Sequence, residues 1–317
     1  MVQPIHRSPC KPTRADNVMT SRPSNLPRPR IHRGADLRAR QTLVSRVGSR
    51  SRNLARSVFG MFAGPPADKE WVAFQFYHWV LDDERKAFQR QLKLLRHYGD
   101  FISVDDAVAA LQSPGGIGGR YFCLTFDDGF KNWFTNAVPI LTESDVPAAF
   151  FLPTKYIGLD LEGDWEQIKP FYERSWTQYG GYFDFLNWDE CRQMAAAGFT
   201  LGSHTHSHPR LTNLQPAEAE LELSLSKAII ESELGQPCRH FCCPWGKPNK
   251  DFDPVLHPNM AQRLGYVSFL TTEDGLNLPG HSAFRIARTS STASQGPSLL
   301  RYTLFPSWFR SLRARFA

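Results

Sequence analysis

The chain has 317 residues, a hydrophobic fraction of 41% and a formal net charge of +6, which allows one large α/β domain with a sizeable core. Residues 1–60 hold thirteen Lys/Arg against Asp16 and Asp36, a balance of +11, and residues 301–317 add four Arg and no acid, leaving −9 for residues 61–300. A mildly acidic body between two basic ends argues against a nucleic-acid enzyme.

Residues 1–60 are rich in Arg, Pro and Ser and lack apolar periodicity, so a disordered Arg-rich tail is expected there. Organisation begins at Trp71, and the run 71–78 (WVAFQFYH) reads as a strand. Residues 83–98 carry Phe88, Leu92 and Leu95 at helical spacing. Residues 121–126 predict a buried strand ending at an acidic pair, and 130–143 a helix that Pro139 must kink or shorten. Further strands are expected over 147–152, 199–202, 239–243 and 266–270. Helices are expected over 189–197, stopped by Gly198, over 216–234, closed by Gly235, and over 253–264. Strand and helix alternate, which implies parallel strands with crossover helices, as a barrel or an open sheet. In such folds chemistry sits at the C-terminal ends of the strands, where this chain's polar clusters fall.

Two stretches stand outside that pattern. Residues 155–187 contain Trp165, Phe171, Tyr172, Trp176, Tyr179, Tyr182 and Phe183. They read as a covering for the core or as an aromatic wall against a sugar ring. Residues 301–317 mix aromatics with arginines, a basic aromatic tail that could lie on an anionic membrane, pack on the body or be disordered. No apolar run approaches the roughly 18–20 residues of a transmembrane helix. No apolar segment follows the basic N-terminus, so no secretory signal is expected. The six cysteines, at 10, 123, 191, 238, 242 and 243, form no CxxC pair. They read as reduced thiols in a cytoplasmic protein.

Three clusters carry candidate chemistry. In Leu124–Gly129 (LTFDDG) two carboxylates end an apolar strand. Adjacent buried charges need neutralising, which a cation on one carboxylate would do, leaving the other free to act as a base. Alone, the run is equally an ordinary Asp-Asp-Gly turn. In Gly202–Pro209 (GSHTHSHP), His204 and His208 are four apart and can meet on one ion, with His206 pointing elsewhere. Imidazole with carboxylate suits zinc-like divalent ions and leaves positions open for water and substrate. The third run, Phe241–Gly246 (FCCPWG), is a loop after a strand. Its backbone N–H groups near Trp245 would suit a developing oxyanion, or the loop is merely a turn. Cys242 and Cys243 read as small buried apolar residues.

The TFDDG run, the HTxSHP-type run and the later PWG loop, in that order, resemble the polysaccharide deacetylase family with the NodB-homology domain, the carbohydrate esterase family 4 type. The resemblance covers roughly residues 71–288. It implies a distorted (β/α) barrel over residues 61–300, a divalent metal, usually zinc, Asp127 as catalytic base, and Asp128, His204 and His208 as metal ligands. Many members have an Arg in the third motif that helps to hold the base aspartate; FCCPWG lacks it. The late Leu-x-His motif is absent too. A branch of the family with Tyr-His on the first strand is a nearer likeness, since Tyr77-His78, Thr271–Gly275 and Phe284–Arg288 all resemble it. That makes His78 the candidate acid, against a structural histidine.

The expected function is metal-dependent removal of N-acetyl groups from an amino-sugar glycan or lipid-linked saccharide. The expected partners are that glycan or glycolipid, no nucleic acid, and an anionic membrane touched peripherally through the basic tails. Cleavage of a non-sugar amide on the same fold and a catalytically silent carbohydrate-binding module are the competing readings.

Overall fold

The computed structural model describes residues 30–40, 56–58, 60–61, 70–179 and 181–305. In chain order the elements are α1 (Gly34–Arg40), β1 (Trp71–Tyr77), α2 (Arg85–Leu95), β2 (Asp100–Phe101), α3 (Val104–Gln112), β3 (Arg120–Asp127), α4 (Val138–Glu143), β4 (Ala148–Leu152), α5 (Trp165–Tyr179), α6 (Trp188–Ala196), β5 (Thr200–Ser203), α7 (Pro216–Leu234), β6 (His240–Cys242), α8 (Leu256–Arg263), β7 (Ser268–Leu270), β8 (Arg288–Ser290) and α9 (Pro297–Leu304).

All strand pairings are parallel, in the order β7-β6-β5-β4-β3-β1-β8, with β2 alongside the first half of β3. The segment entering β8 also touches the far edge. Leu270 and Ile286 form a parallel bridge, the Ile286 N–H donates to the Phe269 carbonyl at 3.0 Å, and the Thr271 N–H donates to the Ile286 carbonyl at 2.9 Å. The sheet therefore curls into a nearly closed α/β barrel, and the barrel expectation holds.

Side-chain alternation divides the strands between two cores. Val72, Phe74, Cys123, Ala149, Phe151, Cys242 and Leu270 form one buried cluster with Val104, Ala107, Val108 and Leu111 of α3. Residues from five strands can meet in one cluster only inside the barrel, and α3 closes its floor. The alternate residues Leu124, Phe126, Phe150, Leu201, Phe241 and Phe269 pack outward into a larger cluster beneath the helices. Gly202 is required on β5, because a Cβ there would lie 2.5 Å from the Phe151 ring and 2.9 Å from the His240 carbonyl. The inward parity of β1 and β3 carries on to His78 and Asp127 at the barrel mouth.

Local signals set the element ends. Asn187 and Glu190 form a reciprocal capping box on α6, with bonds of 2.8 and 3.0 Å. Pro216 opens α7, and Gly235, at φ +65°, closes it. The expected helix over 130–143 is a π-helical turn, Trp133–Ala137, followed by the short α4. Pro139 has no N–H to give to the preceding turn, so the regular ladder begins only there.

The structure overturns one expectation, the disordered tail, and decides between the alternatives left open for two other stretches. Within the segment read as a disordered tail, residues 30–40 are ordered on the body. Ile31 is buried, its N–H donates to the Tyr182 carbonyl at 2.8 Å, and the His32 carbonyl accepts the Asp82 N–H at 2.9 Å. The rest of residues 1–55, with Cys10, lies outside the described residues. Residues 155–187 contain a helix, α5, despite Pro170. Ile168, Phe171, Tyr172, Phe183 and Phe185 are buried in the outer core, so the stretch covers the core. The side chains of Trp176 and Tyr179 lie outside the described residues. Finally, α9 packs Leu300 and Leu304, and beyond it Phe305, against Trp71 and Phe122, so residues 301–305 belong to the body. Residues 306–317 lie outside the described residues.

Candidate active site

A cavity of about 440 Å³ opens at the C-terminal mouth of the barrel, lined by residues that include Phe76, His78, Asp127, Asp128, His204, His208, Trp245 and Arg288. Every candidate residue from the sequence lines it.

Asp127 ends β3 and points inward. Arg288, the first residue of β8, meets it with two parallel bonds, Nη2 to Oδ2 at 2.7 Å and Nη1 to Oδ1 at 2.9 Å. Both side chains are buried, and Arg288 also donates to the Thr125 hydroxyl and the Thr271 carbonyl. Burial pushes the Asp127 carboxyl up, but the Arg288 charge, the His204 charge and the Arg288 hydrogen bonds outweigh it and hold the group below its ordinary value. An arginine clamp on this carboxylate, absent from the third motif, is thus supplied by the last strand. Sequence reasoning quoted Arg288 without giving it that role; its only signal was its place in a short polar run after an apolar residue.

Asp128 leaves the strand at φ +92°, which turns its carboxylate away from Asp127 and across the mouth. Three imidazoles face it. His208 Nε2 is 3.1 Å from Oδ1, His204 Nε2 is 3.5 Å from Oδ1, and His78 Nε2 is 3.7 Å from Oδ2. His204 Nδ1 lies 2.7 Å from the Cys242 carbonyl. A carbonyl only accepts, so Nδ1 carries a proton, and in the neutral ring Nε2 presents a lone pair to a carboxylate oxygen. Two acceptors so placed share either a proton, which makes the ring an imidazolium that donates to Asp128, or a metal cation. Asp128, His204 and His208 can hold one, since a donor atom from each lies within 4.8 Å of the others. Burial pushes the Asp128 carboxyl up, yet the hydrogen bonds from His204 and His208 and nearby charges bring it well below its ordinary range.

Asp127, His204 and Cys242 form a second close group. Arg288 already occupies both oxygens of Asp127, so a cation there would face a guanidinium. The Asp128 group is the better metal site. Cys242 and Cys243 are fully buried, as expected, and burial pushes the Cys242 thiol up to about 11.

The histidine loop is held by its own polar groups and by α7. The His208 N–H donates to the Thr205 hydroxyl at 3.0 Å. Glu222 of α7 accepts the Ser207 N–H at 2.7 Å and the Ser207 hydroxyl at 2.6 Å, and its carbonyl accepts the His206 N–H at 3.1 Å. His206 turns away to the Thr154 hydroxyl, as its position between His204 and His208 predicts. Thr205 and His208 have φ +64° and +59°, and Trp245 +63°. With Asp128, that makes four non-glycine residues in the left-handed region at one site, each costing about 1–3 kcal/mol.

Trp245 stands on the opposite wall. The Arg210 guanidinium stacks 4.4 Å from its ring centroid and pairs with buried Asp251. Among the described residues no acceptor takes the Trp245 backbone N–H. Among the described residues, no aromatic of 155–187 lines the cavity. Phe171 acts from behind, its ring centroid 5.0 Å from that of His208.

Residues 116–267 match the family model described as polysaccharide deacetylase, in line with the resemblance that the motifs carry. It is similar to the Bacillus subtilis (strain 168) protein YxkH, with 23% identity over 192 residues, 60% of this chain and 59% of that protein. It is also similar to a chitooligosaccharide deacetylase of Bradyrhizobium sp. (strain ANU 289), with 29% identity over 141 residues, 44% of this chain and 52% of that protein. The matches thus span little more than half the length of these relatives. The fold superposes on that of IcaB from Ammonifex degensii with a TM-score of 0.59 and 22% identity, over 74% of this chain and 99% of that one. On Streptococcus pyogenes deacetylase PplD the TM-score is 0.54, with 21% identity, over 75% and 98%.

Proposed function

We propose that the protein is a metal-dependent hydrolase that removes N-acetyl groups from an amino-sugar glycan. The observation that carries this reading is one cavity holding a carboxylate clamped by Arg288 beside a separate Asp-His-His donor set. A silent binding module has no use for both.

Asp128, His204 and His208 would hold the cation, and the mixed nitrogen and oxygen donors suit zinc. A bound ion there would polarise the acetyl carbonyl and make water acidic enough to ionise near neutrality. Asp127, ionised and aimed by Arg288, takes a proton from the attacking water. The Trp245 backbone N–H donates to the carbonyl oxygen as it gains negative charge. His78, at the end of β1, gives its proton to the leaving amine, so that water and amide become acetate and free amine.

The test uses the whole chain. Bound metal is measured together with acetate released from N-acetylglucosamine oligomers, with and without chelator. About one equivalent of zinc-like metal and chelator-sensitive acetate release are expected. Metal without acetate from any N-acetylated saccharide would sink the substrate assignment, and a folded protein that binds no metal would sink the site itself.

A further inference from the structure

His78 stands one residue beyond the end of β1, whose pairing with β3 stops at Tyr77. A side chain there swings with its loop unless other groups fix the backbone. Three side chains from the turn after β3 do so. The Trp133 indole N–H donates to the His78 carbonyl at 2.8 Å. Two residues on, the Val80 N–H donates to Asn132 Oδ1 at 3.0 Å, and the Val80 carbonyl accepts from Asn136 Nδ2 at 2.9 Å. Asn136 Nδ2 also donates to Asp82 at 3.0 Å, and its Oδ1 accepts from Arg85 at 3.1 Å, so each end of the amide has its partner. Trp133 and Asn136 are buried.

These side chains come from the π-helical turn Trp133–Ala137 and the residue before it. The turn is closed by the Val138 N–H on the Trp133 carbonyl, five residues back. Such turns are rare and gather at functional sites. From outside, the strap at residues 30–40 holds the same segment. The Asp82 N–H donates to the His32 carbonyl at 2.9 Å, and the Gly34 N–H to Asp83 Oδ1 at 2.7 Å. Residues 78–83 are thus gripped from both sides, and of them only His78 lines the cavity. A grip of this kind has a chemical use where an acid must reach a leaving group, since a misplacement of about 1 Å can cost about 10²-fold in rate.

We infer that Asn132, Trp133 and Asn136 are positioning residues for His78, holding the imidazole where it hands its proton to the departing amine. That use rests on the deacetylase reading; the hold on His78 does not. The consequence is a split between substrates. An acetamide breaks only as its nitrogen takes up a proton, whereas a nitrophenyl acetate expels a stable nitrophenolate that needs none. The attack of water is the same in both. Loosening His78 therefore slows the amide and spares the ester, while loosening the fold slows both.

The experiment compares the whole chain with two variants. Trp133→Phe removes the indole donor, and Asn132→Leu, at a half-buried position, removes the acceptor of the Val80 N–H. For acetate release from N-acetylglucosamine oligomers, kcat should fall about ten- to hundredfold in each, with KM and bound metal at the parent values. Hydrolysis of nitrophenyl acetate should fall far less. Asn132→Asp keeps the acceptor and should recover most of the loss. In magnetic resonance spectra of protein labelled in its histidine nitrogens, the His78 ring signals should shift or broaden in Trp133→Phe and Asn132→Leu, with those of His204 and His208 in place. Equal losses on amide and ester, or parent-like amide turnover in both variants, would overturn the inference. So would parent-like His78 signals in both, whatever the substrate. A parent that releases no acetate from any N-acetylated saccharide, with His78 signals that move in the variants, would count against the deacetylase reading alone.

Discussion

Asp127 and Arg288 divide the work of the proposed base. The carboxylate is buried, and the guanidinium keeps it ionised and fixes both oxygens. Asp127→Asn should lower turnover by about 10²–10⁴-fold while bound metal is retained; loss of metal instead would make Asp127 a ligand. Arg288→Met leaves a buried carboxylate unpaired and should cost about 3–5 kcal/mol in denaturant unfolding. The sign of its pH effect follows from the same contact. Asp127 lies below its ordinary value in the fold, so its stabilisation is present above the unfolded-state value and fades as pH falls through the folded one. Without Arg288 the folded value rises, and the acid limb of kcat/KM should move to higher pH. Arg288→Lys should move it less. An unmoved limb in Arg288→Met would separate Asp127 from the rate.

At the level of elements, α7 reaches into the site from outside the barrel. Glu222 holds the backbone of the histidine loop in a conformation that Thr205 and His208 adopt at positive φ. Glu222→Ala should release that turn and weaken metal affinity about 10–100-fold, as loss of a residue supporting a ligand does. Glu222→Gln keeps one acceptor and should weaken it less. Equal metal titrations for Glu222→Ala and the parent would refute the coupling. The segment around α1 is the second element with an unexpected place. Burying Ile31 stabilises by about 1.5–3 kcal/mol, and two backbone bonds tie the strap to Tyr182 and Asp82. Removing residues 1–40 should therefore lower Tm by several degrees more than removing residues 1–29, read by thermal unfolding. Identical midpoints would mean that the strap adds nothing.

For the whole molecule, the barrel mouth gathers an acidic residue, three imidazoles and a clamped carboxylate into one set, buried except for His78. A cation bound there should stabilise the fold by about 2.7 kcal/mol at a hundredfold excess over Kd. Zinc added to chelator-treated protein should raise Tm. The rise should be larger at mildly alkaline than at mildly acid pH, because imidazole ligands must be neutral. A Tm indifferent to zinc at both pH values would argue against the donor set.

Much of this was legible in the sequence because it is encoded over short distances. Short apolar runs placed the strands, Gly198, Gly235 and Pro216 set helix ends, and the DDG and HTHSH runs each fold as one local turn. Asp128, His204 and His208 could be named because each lies in such a run. What no window of residues contains is the meeting of distant ones. Arg288 clamps Asp127 across 161 positions, and it does so because β8 pairs with β1 in a register that sets its side chain inward. Glu222 acts through a helix of which the sequence shows only the two ends, at Pro216 and Gly235. The strap at residues 30–40 has no periodicity and is held by main-chain bonds, which depend on where the neighbouring loops lie and not on side-chain type. Local turns and apolar runs are properties of neighbouring residues, so the sequence by itself determined the strands, the helix ends and the metal-ligand candidates. Barrel closure sums many strand registers, so only the tertiary structure decided which arginine meets the base, what holds the histidine loop, and which parts of the basic ends belong to the body.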